Sequence, residues 1–230
     1  MFTLYQSPPP EAIKSQILQM VVDYLSDISL IALKPSNPLY PLYQYGIGFE
    51  VHLYLEALAA SQGIPVELIV ASDPDDTDTV IGFTLYQPMT GDARACAVAY
   101  MAVREGHRRQ GVARGMLGEM LARYPHAELA CSVAKVPCFE ALGFQVLEAR
   151  GPQVMMNTRD HGSDGLRAVV EVAPIYRTLE VQQIHAYLLK QHGKKAMVEA
   201  EKKRDRHLDQ LAHHARVFVE QHFNGQSRSV

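Results

Sequence analysis

The most informative segment of the sequence is residues 103–116, Val103-Arg-Glu-Gly-His-Arg108-Arg-Gln-Gly111-Val-Ala113-Arg-Gly115-Met116. An apolar run rich in β-branched and aromatic residues, Ala93 to Val103, leads into it and predicts a buried strand. From Gly111 onward the apolar residues recur at helical spacing. A strand, a glycine-bearing turn and a helix in this order direct the unpaired N–H groups of the first helical turn at one point.

This arrangement predicts a site for a phosphate or pyrophosphate. Gly111 and the small Ala113 let a ligand approach the backbone closely, and Arg108, Arg109 and Arg114 add positive charge around it. The segment lacks the Lys-Ser/Thr ending of a P-loop, and no GxGxxG sequence follows an early strand. Neither of these two nucleotide-binding motifs therefore fits.

The segment resembles the cofactor motif of the GNAT superfamily of acetyl-CoA-dependent N-acyltransferases, Arg/Gln-x-x-Gly-x-Gly/Ala, which here is Arg108-x-x-Gly111-x-Ala113. Met101-Ala-Val103 ends a strand five residues earlier, as the family's fourth strand does. Cys138-Phe-Glu-Ala-Leu-Gly143-Phe144 resembles the family's Tyr-Glu-x-Leu-Gly-Phe signature. The three matches occur in the family's order and spacing, whereas the alternative is an ordinary strand–helix turn with a surface arginine cluster.

The resemblance implies the mixed α/β (α+β) GNAT acyl-CoA N-acyltransferase fold, a central, mostly antiparallel sheet flanked by helices. The periodicity along the chain predicts the same element order. Strands are expected at Phe2–Tyr5, Val66–Ala71, Val80–Tyr86, Ala93–Val103, Glu128–Ser132, Phe144–Glu148 and Gln153–Asn157. Helices are expected from near Glu11, from near Ile47 to Ser61, from Gly111 and before Phe144. We assign residues 1–160 to this domain and residues 161–230 to a mainly helical C-terminal extension.

The extension is predicted to contain a strand at Leu166–Val172, a helix at Leu179–Gln191 that ends at Gly193, and a longer helix at Lys194–His222. Residues Asn224 to Val230 are expected to be disordered. Apolar residues of the longer helix recur at the spacing of a bundle seam: Leu208, Leu211, Ala215 and Phe218. This seam predicts either a homodimer through the C-terminal helices or a tail that folds back on its own domain.

Family resemblance also implies that acetyl-CoA is the cofactor. Backbone amides from Gln110 to Arg114 would hold the pyrophosphate, and the pantetheine arm would pair with the end of the preceding strand. The amide near Met101 would polarise the thioester carbonyl. The cofactor-binding residues expected on this basis are Met101, Ala102, Val103, Arg108, Arg109, Gln110, Gly111, Val112, Ala113 and Arg114.

The sequence departs from the family at the proton-handling positions. Ala97 stands where many members carry a glutamate, Phe139 where many carry a tyrosine acid, and Ser132 where an asparagine is frequent. Three explanations are open: other groups replace the missing ones, the acceptor amine has a low pKa and needs no base, or catalysis is lost. The third explanation would make the chain a catalytically weak acyl-CoA-binding regulatory protein.

Two residues are candidates for replacing the missing catalytic groups. Glu50, on the second predicted helix, could relay a proton through water, or it is an ordinary helix-surface residue. Cys138, beside Phe139, could protonate the departing thiolate, or it is a small buried apolar residue. The leading hypothesis is an N-acetyltransferase in which a primary amine attacks acetyl-CoA directly in a ternary complex.

The acceptor is expected to be a small-molecule or peptide amine. A loop carrying Tyr40, Tyr43 and Tyr45 would suit a hydrophobic or planar acceptor, or its rings pack on the core. The acidic turn Asp73–Asp78 would attract a cationic one.

Composition narrows the remaining function classes. The 230 residues carry a net charge of −3, which predicts no strong electrostatic attraction to nucleic acid or to an anionic membrane. Three cysteines without a CxxC pair, and histidines without ligand spacing, predict neither a disulfide framework nor a metal site. No signal peptide and no membrane-spanning apolar run are visible, so a cytoplasmic protein is expected.

Overall fold

The computed structural model describes residues 1–30, 33–59 and 63–226, and its centre is one seven-stranded sheet. The strands are β1 Phe2–Tyr5, β2 Glu67–Ser72, β3 Val80–Met89, β4 Asp92–Val103, β5 His126–Cys131, β6 Gln145–Arg150 and β7 Gln153–Asn157. Their order in the sheet is β1-β2-β3-β4-β5-β7-β6. The pair β4–β5 is parallel, and the other neighbouring pairs are antiparallel. The expected mixed α/β architecture with a mostly antiparallel sheet is confirmed.

Helices cover both faces of this sheet. They are α1 Glu11–Asp23, α2 Leu25–Ile28, α3 Tyr40–Glu56, α4 Val112–Arg123, α5 Val136–Glu140 and α6 Leu179–Gln226. Gly193 interrupts α6 with a φ of 80° and a ψ of 154°, so α6 consists of two helical parts, as the sequence predicts.

Each face of the sheet has its own apolar core. On one face Met116 and Met120 of α4 pack with Ile69 and Tyr86. On the other face, side chains of α1 and α3 pack on β2 and β3, among them Ile17, Val51, Leu55, Phe83 and Leu85. Complete burial of one such side chain contributes about 1.5–3 kcal/mol to folding.

The second part of α6 folds back on its own sheet. Ala215 and Val219 are buried in the same core as α4, and Phe218 packs against that core. The first part of α6 places Leu188 in a separate apolar cluster with Leu39. The seam residues Ala215 and Phe218 therefore contact their own domain, which favours the fold-back alternative, and the homodimer stays a prediction.

The start of α3 differs from the sequence prediction. We expected a loop through Tyr45 and a helix from near Ile47, but α3 begins at Tyr40. Pro41 lies in the first turn, where its missing N–H removes no helical hydrogen bond, so this proline begins the helix and does not interrupt it. The expected end of this helix at Ser61 lies outside the described residues.

The expected strand at Leu166–Val172 was also wrong. Only Leu166 forms an isolated antiparallel bridge, to Thr90, and the rest of the segment is irregular although Val170 is buried. At the C-terminus α6 continues to Gln226, so residues 224–226 are helical where disorder was expected, while residues 227–230 lie outside the described residues. Within the described ranges, no helix is both long and apolar enough to cross a membrane.

Candidate functional site

The sheet opens between its two parallel strands. The ladder between β4 and β5 includes only Ala95–Ala97 on β4 and His126–Glu128 on β5. Beyond Ala97, β4 continues to Val103 and remains paired with β3 on its other side. This leaves a gap alongside residues 98–103 of β4, in which an extended ligand could pair with the strand.

The hydrogen-bond pattern shows which backbone groups of β4 face this gap. Arg104 N–H donates to the Ile81 carbonyl at 2.8 Å. In an antiparallel pair the hydrogen-bonded positions alternate, so Ala102 is also directed at β3, opposite Phe83. The polar backbone groups of Met101 and Val103 consequently point away from β3 and into the gap.

A glycine turn lies at the end of this strand. Gly111 has a φ of 83° and caps α4, and Arg109 before it also has a positive φ, of 63°. The helical hydrogen bond from Gly115 N–H to the Gly111 carbonyl (2.9 Å) leaves the preceding amides, from Val112 to Arg114, without intrahelical partners. A Cβ atom added to Gly111 would have no atom within 4 Å outside the two adjacent residues, so the turn is open on that side.

Two of the three arginines around the turn, Arg108 and Arg114, form hydrogen bonds or ion pairs with other residues of the protein. The Arg108 guanidinium contacts the Asp27 carboxylate at 3.0 Å, and its Nε donates to the Val103 carbonyl at 3.0 Å. Arg114 donates to the Ala141 carbonyl at 3.1 Å. The side chain of Arg109 is exposed. The ten predicted cofactor residues thus lie on one contiguous strand–turn–helix segment between Met101 and Arg114, although the backbone of Ala102 faces β3.

Glu50 is not an ordinary surface residue. It lies on α3, and its carboxylate interacts with the hydroxyl of Tyr100 on β4 strongly enough to affect the pKa of both groups. Burial raises the pKa of Glu50 above its usual value of 4.5, and the hydrogen bond from Tyr100 and the charge of Arg167 offset part of this rise. Because Tyr100 directly precedes Met101, the carboxylate lies next to the strand segment that borders the gap.

A tyrosine cluster surrounds this carboxylate. The rings of Tyr54 and Tyr100 lie 6.3 Å apart between centroids. Burial raises the pKa of Tyr100 well above 10, and the neighbouring Glu50 raises it further, so the hydroxyl remains a proton donor to Glu50 at neutral pH. We did not identify Tyr100 from the sequence, where its only signal was a tyrosine hydroxyl within an otherwise apolar strand.

The later signature, residues 138–144, places one of its residues in the core and another at the surface. Phe139 is buried and packs edge-on against Phe144, with centroids 5.9 Å apart, so it fills the core where the family has a catalytic tyrosine. Cys138 is exposed on α5, and its interpretation as a small buried apolar residue was wrong. Among the described residues, no hydrogen bond or ion pair joins Cys138 to Glu50.

The tyrosines of the expected acceptor loop lie in α3 and make protein contacts. Tyr45 stacks on Phe49 with ring centroids 5.8 Å apart. The Tyr43 hydroxyl accepts a hydrogen bond from Arg204 of α6 at 3.3 Å, and Tyr40 packs in the cluster that joins α3 to α6. These contacts favour the packing interpretation of the aromatic residues.

A mostly irregular segment from the C-terminal region, which ends in a 3₁₀ turn at Ile175–Arg177, crosses the sheet face on which Glu50 lies. We call residues 165–176 the crossing segment. Leu166 exchanges two backbone hydrogen bonds with Thr90, of 3.0 and 2.8 Å. The Ala168 carbonyl accepts a hydrogen bond from the side chain of Gln87, and Val170 N–H donates to the Tyr54 hydroxyl at 3.3 Å.

The crossing segment also packs along α3. The Tyr176 hydroxyl would be 3.2 Å from a Cβ at Gly46, so the ring is in close contact with the helix backbone. A cavity of about 400 Å³ lies between α3 and this part of the chain, and Glu171 is its charged lining residue. The other lining residues are Phe49, Leu53, Ile64, Val170, Pro174, Ile175 and Thr178.

No group of three or more histidine, cysteine, aspartate or glutamate side chains in the described part of the chain could hold a metal ion.

Comparison with protein families gives a match within one part of the chain. Residues 65–144, which include the gap, the glycine turn and the later signature, match the profile of the acetyltransferase (GNAT) family. The chain carries a GNAT acetyltransferase domain. A comparison with curated protein sequences gives no match.

Several solved structures of acetyltransferases are similar to this chain. The PaiA N-acetyltransferase from Thermoplasma acidophilum, in complex with coenzyme A, is 9% identical with a TM-score of 0.52, and the match covers 69% of this chain and 99% of that chain. An aminoglycoside 6′-acetyltransferase type Ii is 11% identical with a TM-score of 0.50, covering 71% and 99%. A nourseothricin acetyltransferase is 18% identical with a TM-score of 0.36, and the match covers 40% of this chain and 64% of that chain. At these identities the likeness of the first two shows a common fold.

Proposed function

We propose that this GNAT protein transfers an acetyl group from acetyl-CoA to a primary amine by direct attack in a ternary complex. The observation that carries the proposal is the gap between β4 and β5, since the backbone groups of Met101 and Val103 face it and the strand leads directly to the Gly111 turn. The family match and the coenzyme A bound in the Thermoplasma acidophilum relative support the choice of cofactor.

The residues around the gap fit an acyl-CoA. The amides from Gln110 to Arg114 would hold the pyrophosphate, because the first turn of a helix supplies unpaired N–H donors and the open space at Gly111 admits the phosphate oxygens. The N–H and carbonyl groups of Met101 and the N–H of Val103 would pair with the amide groups of the pantetheine arm. When bound, acetyl-CoA supplies the activated acyl group. The N–H of Met101 would orient the acyl carbonyl and stabilise negative charge on its oxygen.

Glu50 would accept the proton of the attacking amine, directly or through a water molecule. Its raised pKa brings this carboxylate closer to the proton affinity that a base needs at neutral pH. Tyr100 positions it, since the hydroxyl donates to the carboxylate and the backbone of Tyr100 is joined to Met101. The distance between amine and acyl group is then set largely by the protein, which is the main source of rate in such a reaction.

Cys138 remains our candidate for returning a proton to the departing thiolate. Its side chain is exposed at the beginning of α5, the helix that follows β5 and the gap. We further propose a small-molecule or peptide amine as acceptor, a cytoplasmic protein that binds neither nucleic acid nor membrane, and a boundary near residue 160 between the catalytic domain and its extension.

A second candidate function is acyl-CoA binding without turnover. It is favoured by the burial of Phe139 in the core and by the alanine at position 97, because both leave the usual proton-handling positions without a titratable group. This candidate predicts cofactor binding at the same gap and no acetyl transfer to any amine.

Isothermal titration with coenzyme A tests the cofactor site. Asparagine tolerates a positive φ, so Gly111→Asn keeps the turn and places a side chain in the open space where the phosphate is expected. Gly91→Asn is the matched control, since Gly91 has a φ of 92° and equally open surroundings in the β3–β4 turn. We expect Gly111→Asn to weaken binding at least about tenfold, which corresponds to 1.4 kcal/mol. Equal affinities of the two variants would contradict the assignment.

A further inference from the structure

The crossing segment brings a cation to the proposed base. It contains one arginine, Arg167, and one acidic residue, Glu171. The bridge at Leu166 and the hydrogen bond at Ala168 hold the backbone on either side of Arg167 against the sheet. The position of Arg167 in the fold is therefore determined by its neighbours, even though its own side chain is exposed.

The crossing segment contacts the helix that carries Glu50. Val170 N–H contacts the Tyr54 hydroxyl, and Tyr54 lies one helical turn after Glu50 on the same face of α3. Arg167 interacts electrostatically with both Glu50 and Tyr54. Glu171 lines the cavity beside Phe49 and Leu53 and forms no ion pair with Arg167. Across residues 1–30, 33–59 and 63–226, no carboxylate lies within 4 Å of the Arg167 guanidinium.

These positions give the acceptor side of the gap two unlike charges. A carboxylate, Glu50, would receive the amine and its proton. A guanidinium without an ion-pair partner, Arg167, is exposed to solvent nearby. Arginine binds carboxylates through two parallel N–H donors, and such charge-assisted hydrogen bonds are stronger than neutral ones. The same guanidinium would repel an acceptor that carries several positive charges.

We propose that the acceptor carries a carboxylate close to its reactive amine, and that Arg167 of the crossing segment binds this carboxylate while Glu50 faces the amine. This inference rests on the proposed function and names its substrate class. It also assigns the acceptor site a residue beyond position 160, so that the catalytic domain would be incomplete without the crossing segment.

The test is equilibrium binding of matched acceptor pairs to the full-length protein, measured by isothermal titration with and without coenzyme A. Each pair consists of an amino acid and its amide; the set includes the common L-amino acids and short ω-amino acids. Wild-type protein is expected to bind the best carboxylate at least about fivefold more tightly than its amide. In Arg167→Ala this preference is expected to fall below about twofold, and Arg167→Lys is expected to retain part of it.

Arg177→Ala is the control, because Arg177 is an exposed arginine just beyond the crossing segment. It is expected to keep the wild-type preference. Tighter or equal binding of the amides, no binding of any carboxylate, or a preference that Arg167→Ala leaves unchanged would overturn the inference. Acetyl transfer to the same compounds is recorded in parallel: if carboxylates bind through Arg167 but none is acetylated, the proposed function fails while the binding inference stands.

Discussion

The Arg108 guanidinium lies 3.0 Å from the Asp27 carboxylate, and it also packs over the Tyr24 ring at 4.8 Å from the ring centroid. Arg108, the first residue of the cofactor motif, is thus bound by an acidic side chain of α2. Lys135, which follows β5, donates to the Asp27 backbone carbonyl. Asp27 therefore contacts residues that follow both strands of the gap, and its negative charge lies beside the proposed phosphate site.

We predict that Asp27→Asn binds coenzyme A about two- to fivefold more tightly than the wild type. The substitution frees Arg108 and removes a charge that repels the phosphates, and a half-exposed pair of this kind is worth about 0.2–1 kcal/mol. Titration at low and high salt should show the gain shrinking as salt screens the charge. Asp23→Asn, on the same side of the sheet, is the control with an equal change in net charge. Weaker binding by Asp27→Asn would instead mean that Asp27 holds Arg108 in its binding position.

Acetyl transfer should depend on pH through Glu50. The base must be ionised to accept a proton, and burial raises the pKa of Glu50 above the usual 4.5 of a glutamate. As the pH is lowered, kcat/KM is therefore expected to begin falling at a pH higher than 4.5. Glu50→Gln should lower kcat/KM at neutral pH by about 10²-fold or more and remove this dependence.

Tyr100→Phe separates positioning from general structural damage. It removes a hydrogen bond that lowers the pKa of Glu50, so the fall in kcat/KM is expected to move to higher pH. Tyr187→Phe, at a tyrosine exposed on α6, should leave the pH profile unchanged. A Tyr100→Phe profile that is lower but not shifted would count against the pairing of Tyr100 with Glu50.

The strand, turn and helix of the proposed cofactor site could be predicted from sequence because this geometry is local. The strand, the turn and the helix are contiguous, and a glycine at position 111 signals the positive φ that the turn adopts. The acceptor side could not be predicted in this way. Glu50 and Tyr100 lie on different elements and meet only because α3 packs on the sheet, so no spacing in the sequence links them.

The crossing segment was misinterpreted for a related physical reason. Its apolar residues resemble those of a strand, but only Leu166 forms a bridge, to Thr90 just after β3. The segment otherwise docks through single hydrogen bonds to Gln87 and Tyr54. Such contacts depend on where the two side chains lie in three dimensions. Similarly, Pro41 suggested a loop because its position relative to the start of α3 was unknown.

Gly165 tests the docking of the crossing segment. A Cβ at this position would lie 2.7 Å from Met89 Cβ and 3.2 Å from Asp92 Cβ, so Gly165→Ala must displace the segment. We expect a loss of about 1–3 kcal/mol of folding free energy from this overpacking, together with a raised KM for the acceptor. Gly162→Ala, at a glycine with open surroundings, is the control for both measurements. Equal stability and equal KM in the two variants would show that the segment is not closely packed there.

Glu67 is expected to stabilise the fold in a pH-dependent manner. Its carboxylate is buried at the start of β2 and accepts hydrogen bonds from Arg123 (2.8 Å), Tyr86 (2.7 Å) and Gln6 (2.7 Å). Burial by itself would raise its pKa, but these donors outweigh burial and lower the pKa below the usual 4.5. Because the folded-state pKa is lower than the unfolded one, the stabilisation is present above about pH 4.5 and is lost as the pH falls through the folded-state pKa.

Glu67→Gln should therefore cost about 2 kcal/mol at pH 7, since Arg123 loses its partner but is partly solvated. Urea unfolding at neutral and acidic pH measures the difference, which should shrink as wild-type Glu67 becomes protonated. A constant difference at all pH values would mean that side-chain shape matters there and charge does not.

The most direct test of the account follows labelled acetyl groups. Purified wild-type protein, Gly111→Asn and Gly91→Asn are each incubated with acetyl-labelled acetyl-CoA and a cell extract divided into small-molecule and macromolecular fractions. We predict label on an amine in one fraction with the wild type and Gly91→Asn, and none with Gly111→Asn. Absence of label with a wild-type protein that binds coenzyme A would contradict acetyl transfer and favour acyl-CoA binding without turnover.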